Sequence, residues 1–194
     1  MCVRMSERGA ETLTDERIVA LVLRGETALF RELVRRHQRR VHFTGMRFFR
    51  NEDDARDFTQ EVFVKAYTAL GSYRGESKFG SWLLRIAFNH AVNQKRTARE
   101  TSGIESDRLA SAYPGPEAQS LRAEAMEAIS RALASLPEKY RICVDFFFFL
   151  GLSYGEIGDI TGFPVNTIKS HVFRAKQMLR DALRGSAAEE YHEM

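Results

Sequence analysis

Cysteine is almost missing from this chain: Cys2 and Cys143 are the only two in 194 residues. Two thiols at unrelated positions exclude a disulfide framework and point to a reducing cytoplasm. Long apolar runs are missing as well. Runs such as Phe146 to Leu150 are far shorter than the roughly 18 residues a membrane span needs, so no membrane insertion is expected. The N-terminus carries Arg4, Glu7 and Arg8 without an apolar stretch, and no secretory signal is read there. The histidines, His37, His42, His90, His171 and His192, show no metal-ligand spacing, and the acids around Asp54 lack a partner cluster. No metal, cofactor or catalytic residue is therefore implied, which argues against an enzyme such as a nuclease.

What is present is charge, 28% of the residues, over a 44% hydrophobic content that supports packed cores in one medium or two small domains. The net charge of +3 hides an uneven distribution. Residues 1–96 hold 18 Lys and Arg against 12 Asp and Glu, while residues 121–194 hold 9 against 10. Within that second stretch, residues 160–180 contain Lys169, Arg174, Lys176 and Arg180 and no acid. Local basic stretches in a near-neutral chain suggest defined polyanion-binding faces.

Helical periodicity dominates, and the expected fold is all-α: two small helical domains joined by a flexible linker, the second containing a helix-turn-helix. A first helix is read near Asp15 to Leu23. Phe30, Leu33, Val34, His37, Val41, Gly45 and Phe48 trace one long amphipathic helix. Ala55, Phe58, Val62, Ala66 and Leu70 form another stripe, stopped by Gly71, and a third pattern runs from Ser81 to about Thr97. The pattern fails from Ala98 to Gln119, where Thr101, Ser102, Gly103, Ser106, Ser111, Pro114, Gly115 and Pro116 read as a linker. Periodicity resumes at Leu121, and Pro137 is expected at the first position of a helix ending near Gly151. The domains are thus placed at 15–97 and 121–185, with the linker at 98–120.

Ser153-Tyr154-Gly155-Glu156 has the form of a capping box, and Gly162 is a natural helix stop. Asn166 or Thr167 opens the next helix, with Ile168, Val172, Ala175 and Leu179 on its buried side. Lys169, Ser170, Arg174, Lys176 and Gln177 are left outside. This is a helix-turn-helix pattern whose acid-free face fits a major groove; an ordinary solvated helix hairpin is the plainer alternative. Asn166 serves as a cap or also as a phosphate contact.

In the N-terminal half, Arg85, Asn89, Asn93 and Arg96 form one polar stripe of amides and guanidiniums, opposite Trp82, Leu83, Ile86 and Ala87. The preceding loop, Tyr73-Arg74-Gly75-Glu76-Ser77-Lys78-Phe79, mixes rings and positive charge, which suits unstacked bases. Phe79 and Trp82 read better as core anchors, and Tyr73 stays open between the two roles. Asp53, Asp54 and Asp57 lie near a helix start, where the macrodipole favours acids. Gln60 and Glu61 lie deeper and point to a protein partner.

Asp54-Ala55-Arg56-Asp57-Phe58-Thr59-Gln60-Glu61-Val62-Phe63-Val64-Lys65-Ala66-Tyr67 resembles the polymerase-binding segment of region 2 in sigma-70-family factors. Tyr73 to Arg96 resembles the promoter-melting and −10-reading segment of that region. Leu136-Pro137, Gly151 to Ile157 and Pro164 to Ala175 resemble region 4, which reads the −35 element. Two motif sets in the right order, with a linker in place of a middle region, resemble the extracytoplasmic-function group. The resemblance implies a non-catalytic promoter-recognition subunit that directs transcription initiation from the cytoplasm. It implies that Asp57, Gln60 and Glu61 dock on the β′ clamp helices of core RNA polymerase. It assigns −10 DNA to Tyr73, Arg74, Ser77, Lys78, Arg85, Asn89, Asn93 and Arg96. Thr167, Lys169, Ser170, His171, Arg174 and Lys176 are assigned to −35 promoter DNA, and region 4 to the β flap. Regulation by an anti-sigma factor is implied too.

Three positions depart from the family pattern: Gly158 stands where Ala is usual, Asn166 where Gly is common and His171 where Arg is common. Gly158 lowers helix propensity, and His171 puts one DNA contact in question. The Phe146–Phe149 run is read as core packing or as a flap or anti-sigma contact. A regulator that uses the helix-turn-helix without joining polymerase is the main rival, but it has no need of a basic, aromatic melting loop.

Overall fold

The computed structural model describes residues 12–102 and 121–186. They form two compact units, each with its own core, and every α, 3-10 or π element among the described residues is helical.

The first unit begins with α1 (Asp15–Leu23), whose N-cap Thr14 accepts a hydrogen bond from the Arg17 N–H. A 3-10 turn at Thr27–Leu29 leads into α2 (Phe30–Phe49). The expected stripe is the buried one: Leu33, Val41 and Phe48 lie in the core with His37, Thr44 and Gly45. Arg50 ends α2 with φ 58°, and Asn51 immediately caps α3 (Glu52–Thr68), its side-chain oxygen accepting from the N–H groups of Asp53 and Asp54. Glu52, Asp53 and Asp54 fill the first turn, where the helix dipole favours them. α3 ends at Thr68, before Gly71, and the chain passes through a 3-10 turn at Leu70–Ser72. Gly71 thus sits in that turn and is not the stop.

Gly45 sets the spacing between α2 and α3. A Cβ there would lie 2.8 Å from Phe58 Cδ1 and 3.1 Å from Ala55 Cα, so only glycine permits this approach. Phe58, at 1% exposure, fills the space beside it, and burial of a side chain of this size contributes about 1.5–3 kcal/mol.

α4 (Phe79–Ser102) closes the unit. It outruns the expected Ser81–Thr97, and the first five positions assigned to the linker, 98–102, are helical. Composition misread them: a polar stretch continues a helix that is already propagating, because each added residue gains a hydrogen bond. The rest of the expected linker, 103–120, lies outside the described residues. The inner face of α4 is Phe79, Leu83, Leu84, Ala87, Phe88 and Ala91, with Trp82 and Ile86 only partly covered.

The second unit contains α5 (Leu121–Ser135), α6 (Glu138–Val144), a π-helical turn at Asp145–Phe149, α7 (Tyr154–Thr161) and α8 (Val165–Leu183). Leu133, Leu136, Val144 and Ala175 form one of its packed clusters. Pro137 is the N-cap of α6 and not its first helical residue, with ψ 140° outside the helical range. The π turn divides the Phe run. Phe146 is buried, Phe147 stacks on Tyr154 at 4.7 Å, and Phe148 and Phe149 are half exposed.

α7 has the full capping box: the Glu156 N–H donates to Ser153 Oγ, and the Ser153 N–H donates to Glu156 Oε2. Gly162 ends it at φ 77°. α8 starts at Val165 behind Pro164, so neither Asn166 nor Thr167 is its cap. Proline at that position already sets the entry backbone. Gly158 answers to the tight turn: a Cβ would lie 3.2 Å from the Phe163 carbonyl oxygen.

Candidate nucleic-acid interface

The outer face of α3 carries Asp57, Gln60 and Glu61, all exposed. Val64 lies one turn beyond Gln60 and is 66% exposed. The helical period alone did not single out this apolar side chain, open within a polar face. Glu61 is not a free acid. Its Oε2 lies 2.6 Å from His90 Nε2 and accepts from Gln94 Nε2 at 2.9 Å, both on α4. The His90 ring stacks on Phe58, with 8° between the planes.

The loop before α4 is organised by Tyr73. Its hydroxyl donates to the Ser77 carbonyl at 2.7 Å, and its ring packs against Phe79 and Trp82 at 5.7 and 5.4 Å. Burial, helped by the nearby carboxylates of Glu16 and Asp15, pushes the Tyr73 phenol pKa up. Phe79 is fully buried as an anchor, whereas Arg74, Ser77 and Lys78 are exposed. The Lys78 carbonyl accepts the N–H groups of Ser81 and Trp82, tying the loop directly to the first turn of α4.

Arg85, Asn89, Asn93 and Arg96 are all exposed and follow one side of α4 out from the loop. Val92, 42% exposed, belongs to the same side at three residues from Asn89 and four from Arg96. It was missed because an isolated valine in a helix reads as core. Among the described side chains this face offers donors, acceptors and two guanidiniums without a carboxylate, which suits a polyanion carrying base edges.

In the second unit, Lys169, Ser170, Arg174 and Lys176 are exposed on α8, and Thr167 is partly covered. The Ser170 hydroxyl donates back to the Asn166 carbonyl. Arg174 Nη1 donates to the Tyr140 hydroxyl at 3.4 Å, a long bond, and this contact lowers the phenol's pKa. Lys176 Nζ sits 5.2 Å above the Phe148 ring. His171 differs from the others: its ring packs on Tyr140 and Phe163, and its Nδ1 lies 3.7 Å from Cys143 Sγ. Burial lowers its pKa, as do the charges of Lys139 and Arg174, while burial raises the Cys143 thiol to about 11. The outward position is instead taken by Phe173, 61% exposed beside Lys169 and Lys176. An exposed ring there can meet a thymine methyl in a major groove.

The chain thus has an exposed polar face on α3, a loop and stripe leading along α4, and a basic helix-turn-helix face on α8. Residues 33–101 match the family model for Sigma-70 region 2, and residues 126–179 match that for Sigma-70, region 4. The RNA polymerase sigma-H factor of Pseudomonas aeruginosa is 35% identical over 181 residues, covering 88% of this chain and 94% of that protein. The chain belongs to the extracytoplasmic-function group of the sigma-70 family. The ECF RNA polymerase sigma-E factor of Escherichia coli K12 shows the same identity and coverage.

The fold of this sigma factor is also similar to two solved structures. One is the sigma factor RpoE in complex with the anti-sigma factor NepR from Bartonella quintana, with TM-score 0.67, 24% identity and coverage of 80% of this chain and 97% of that one. The other is CnrH in complex with the cytosolic domain of CnrY, with TM-score 0.66, 24% identity and coverage of 88% and 97%. As a sigma factor the chain is a DNA-binding protein of transcription initiation. No helix among the described residues is long and apolar enough to cross a membrane.

Proposed function

We propose that the chain recruits core RNA polymerase through the α3 face of Asp57, Gln60 and Glu61, together with Val64. It then reads the opened −10 strand with Tyr73, Arg74, Ser77, Lys78 and the α4 stripe, and reads the −35 duplex with α8. It acts by binding alone, and the bond-making chemistry stays with polymerase. Residues 15–102 and 121–185 serve as separate reading modules, joined by residues 103–120.

The observation that carries this reading is the continuity of loop and stripe. Tyr73, tied to Ser77 and packed on Trp82, leads without a break into exposed Arg85, Asn89, Asn93 and Arg96. A ring platform followed by amides and cations suits an unpaired strand, whose bases need a π-face and whose phosphates need counter-charge. Each surface alone makes few contacts, so the free chain binds duplex weakly, and joining the modules on polymerase supplies the effective concentration.

An anti-sigma factor is the expected regulator. Two fold relatives are solved in such pairings or with a cytosolic partner domain, which supports the same arrangement here. In vitro transcription with core polymerase on a random promoter library tests the whole reading. The expected result is enrichment of one spaced −35 and −10 pair, reversed by adding the anti-sigma factor. Initiation that is independent of promoter sequence overturns it.

A further inference from the structure

We propose that His90 and Gln94 are positioning residues for polymerase docking, acting through Glu61. They join the polymerase-docking face of α3 to the promoter-reading helix α4. The inference rests on the reading above that Glu61 contacts polymerase.

Glu61 Oε2 receives both α4 side chains, at 2.6 Å from His90 Nε2 and 2.9 Å from Gln94 Nε2. Its second oxygen, Oε1, has no hydrogen-bond partner among the described residues, and the Glu61 side chain is half exposed. One oxygen is therefore held from within the unit while the other is offered outward. A glutamate has three rotatable side-chain bonds, and docking must remove their freedom. Fixing the carboxylate beforehand removes that cost from association.

His90 is itself held. Its side chain is 12% exposed, and its ring lies flat on Phe58, which sits one turn before Glu61 on α3. Phe58 is a core residue at 1% exposure, so the imidazole is braced on its face by the core and bound at its edge by the carboxylate. Gln94, one turn after His90, closes the arrangement from the same helix.

The two helices have different proposed tasks, and this cluster is where they meet through side chains. His90 directly follows Asn89, and Gln94 directly follows Asn93, the two amides of the reading stripe. A polymerase group that grips Oε1 thereby also bears on the segment of α4 that carries those amides. Docking and −10 reading are coupled through one carboxylate.

The test is the affinity of the full chain for core polymerase, measured by competition for Glu61→Ala, His90→Ala, Gln94→Ala and the double variants with Glu61→Ala. Each single change should weaken binding, by about three- to tenfold for the two α4 variants, and each double should bind no worse than Glu61→Ala alone. His90→Gln, which keeps an N–H donor, should recover most of the His90→Ala loss. Thermal melting of the free chain separates folding from positioning, and Gln94→Ala carries the test if His90→Ala does not fold. Losses that multiply in the doubles, or Gln94→Ala and His90→Gln both indistinguishable from the parent and from His90→Ala respectively, overturn the positioning role. Unchanged affinity of Glu61→Ala overturns the docking reading itself.

Discussion

Asp15 Oδ2 lies 2.6 Å from His37 Nε2, and the His37 ring meets Phe79 edge-on at 5.4 Å. A carboxylate at the start of α1 thus braces the residue that opens α4 and anchors the loop before it. Arg36 completes the group, donating to Asp15 Oδ1 and to the Leu13 carbonyl. Asp15→Asn should destabilise the 12–102 unit by about 1–3 kcal/mol, since it weakens charged hydrogen bonds that are partly shielded from water. Urea unfolding, followed by a probe in that unit such as Trp82 fluorescence, measures it. An unmoved midpoint would show that the brace is dispensable.

The same group makes acid stability predictable. Hydrogen bonds from Arg35, with help from Arg36, lower the Glu32 carboxyl from 4.5 to about 2, and Asp15 is lowered chiefly by His37. The unfolded chain takes up a proton on Glu32 near its ordinary value, while the folded one resists. Its contribution is therefore complete above about pH 4.5 and is lost as pH falls towards about 2. Glu32→Gln should be less stable at neutral pH and show a flatter decline in acid. Parallel pH profiles for the two proteins would remove Glu32 from the account.

Gly45→Ala should destabilise the same unit by about 1–3 kcal/mol through overpacking, because the new methyl meets Phe58 and the Ala55 backbone. Helix propensity alone predicts a gain of about 1 kcal/mol for this change. The sign of the shift in melting temperature decides between the two effects.

The two surfaces proposed to read DNA should fail in different ways. Arg174→Ala should weaken promoters according to their −35 sequence by about 1–3 kcal/mol and barely affect a pre-melted template. Asn89→Ala should reduce open-complex formation according to the −10 sequence, with a smaller loss when the bubble is already open. Permanganate footprinting on matched intact and pre-opened templates compares them. Equal losses on every template would end the proposed division of labour.

Much of this was legible along the chain. The buried stripes of α2 and α3, the capping box at Ser153, the stop at Gly162 and the exposed stripe of α4 depend on spacings of two to four residues. Interactions of that range belong to a single element, so periodicity and cap chemistry report them directly. The errors fell at element ends. α4 runs on to Ser102 and Pro137 stands one place outside α6, because propagation and capping compete there within a few tenths of a kcal/mol per residue.

The sequence alone determined that this is a two-part helical sigma factor with a helix-turn-helix, a polar face on α3 and a stripe of amides and guanidiniums on α4. Local periodicity and motif order suffice for that. Tertiary structure decided how individual side chains are employed. His171 has the position of a reading residue, yet packs against Tyr140 and Phe163, while Phe173 points outward. Glu61 has the look of a free surface acid, yet is held by residues 29 and 33 positions away, and Asp15 reaches one 22 positions away. Such partners are chosen by how helices pack. A helix's own repeat states which side faces inward, but not which neighbouring atom will be waiting there.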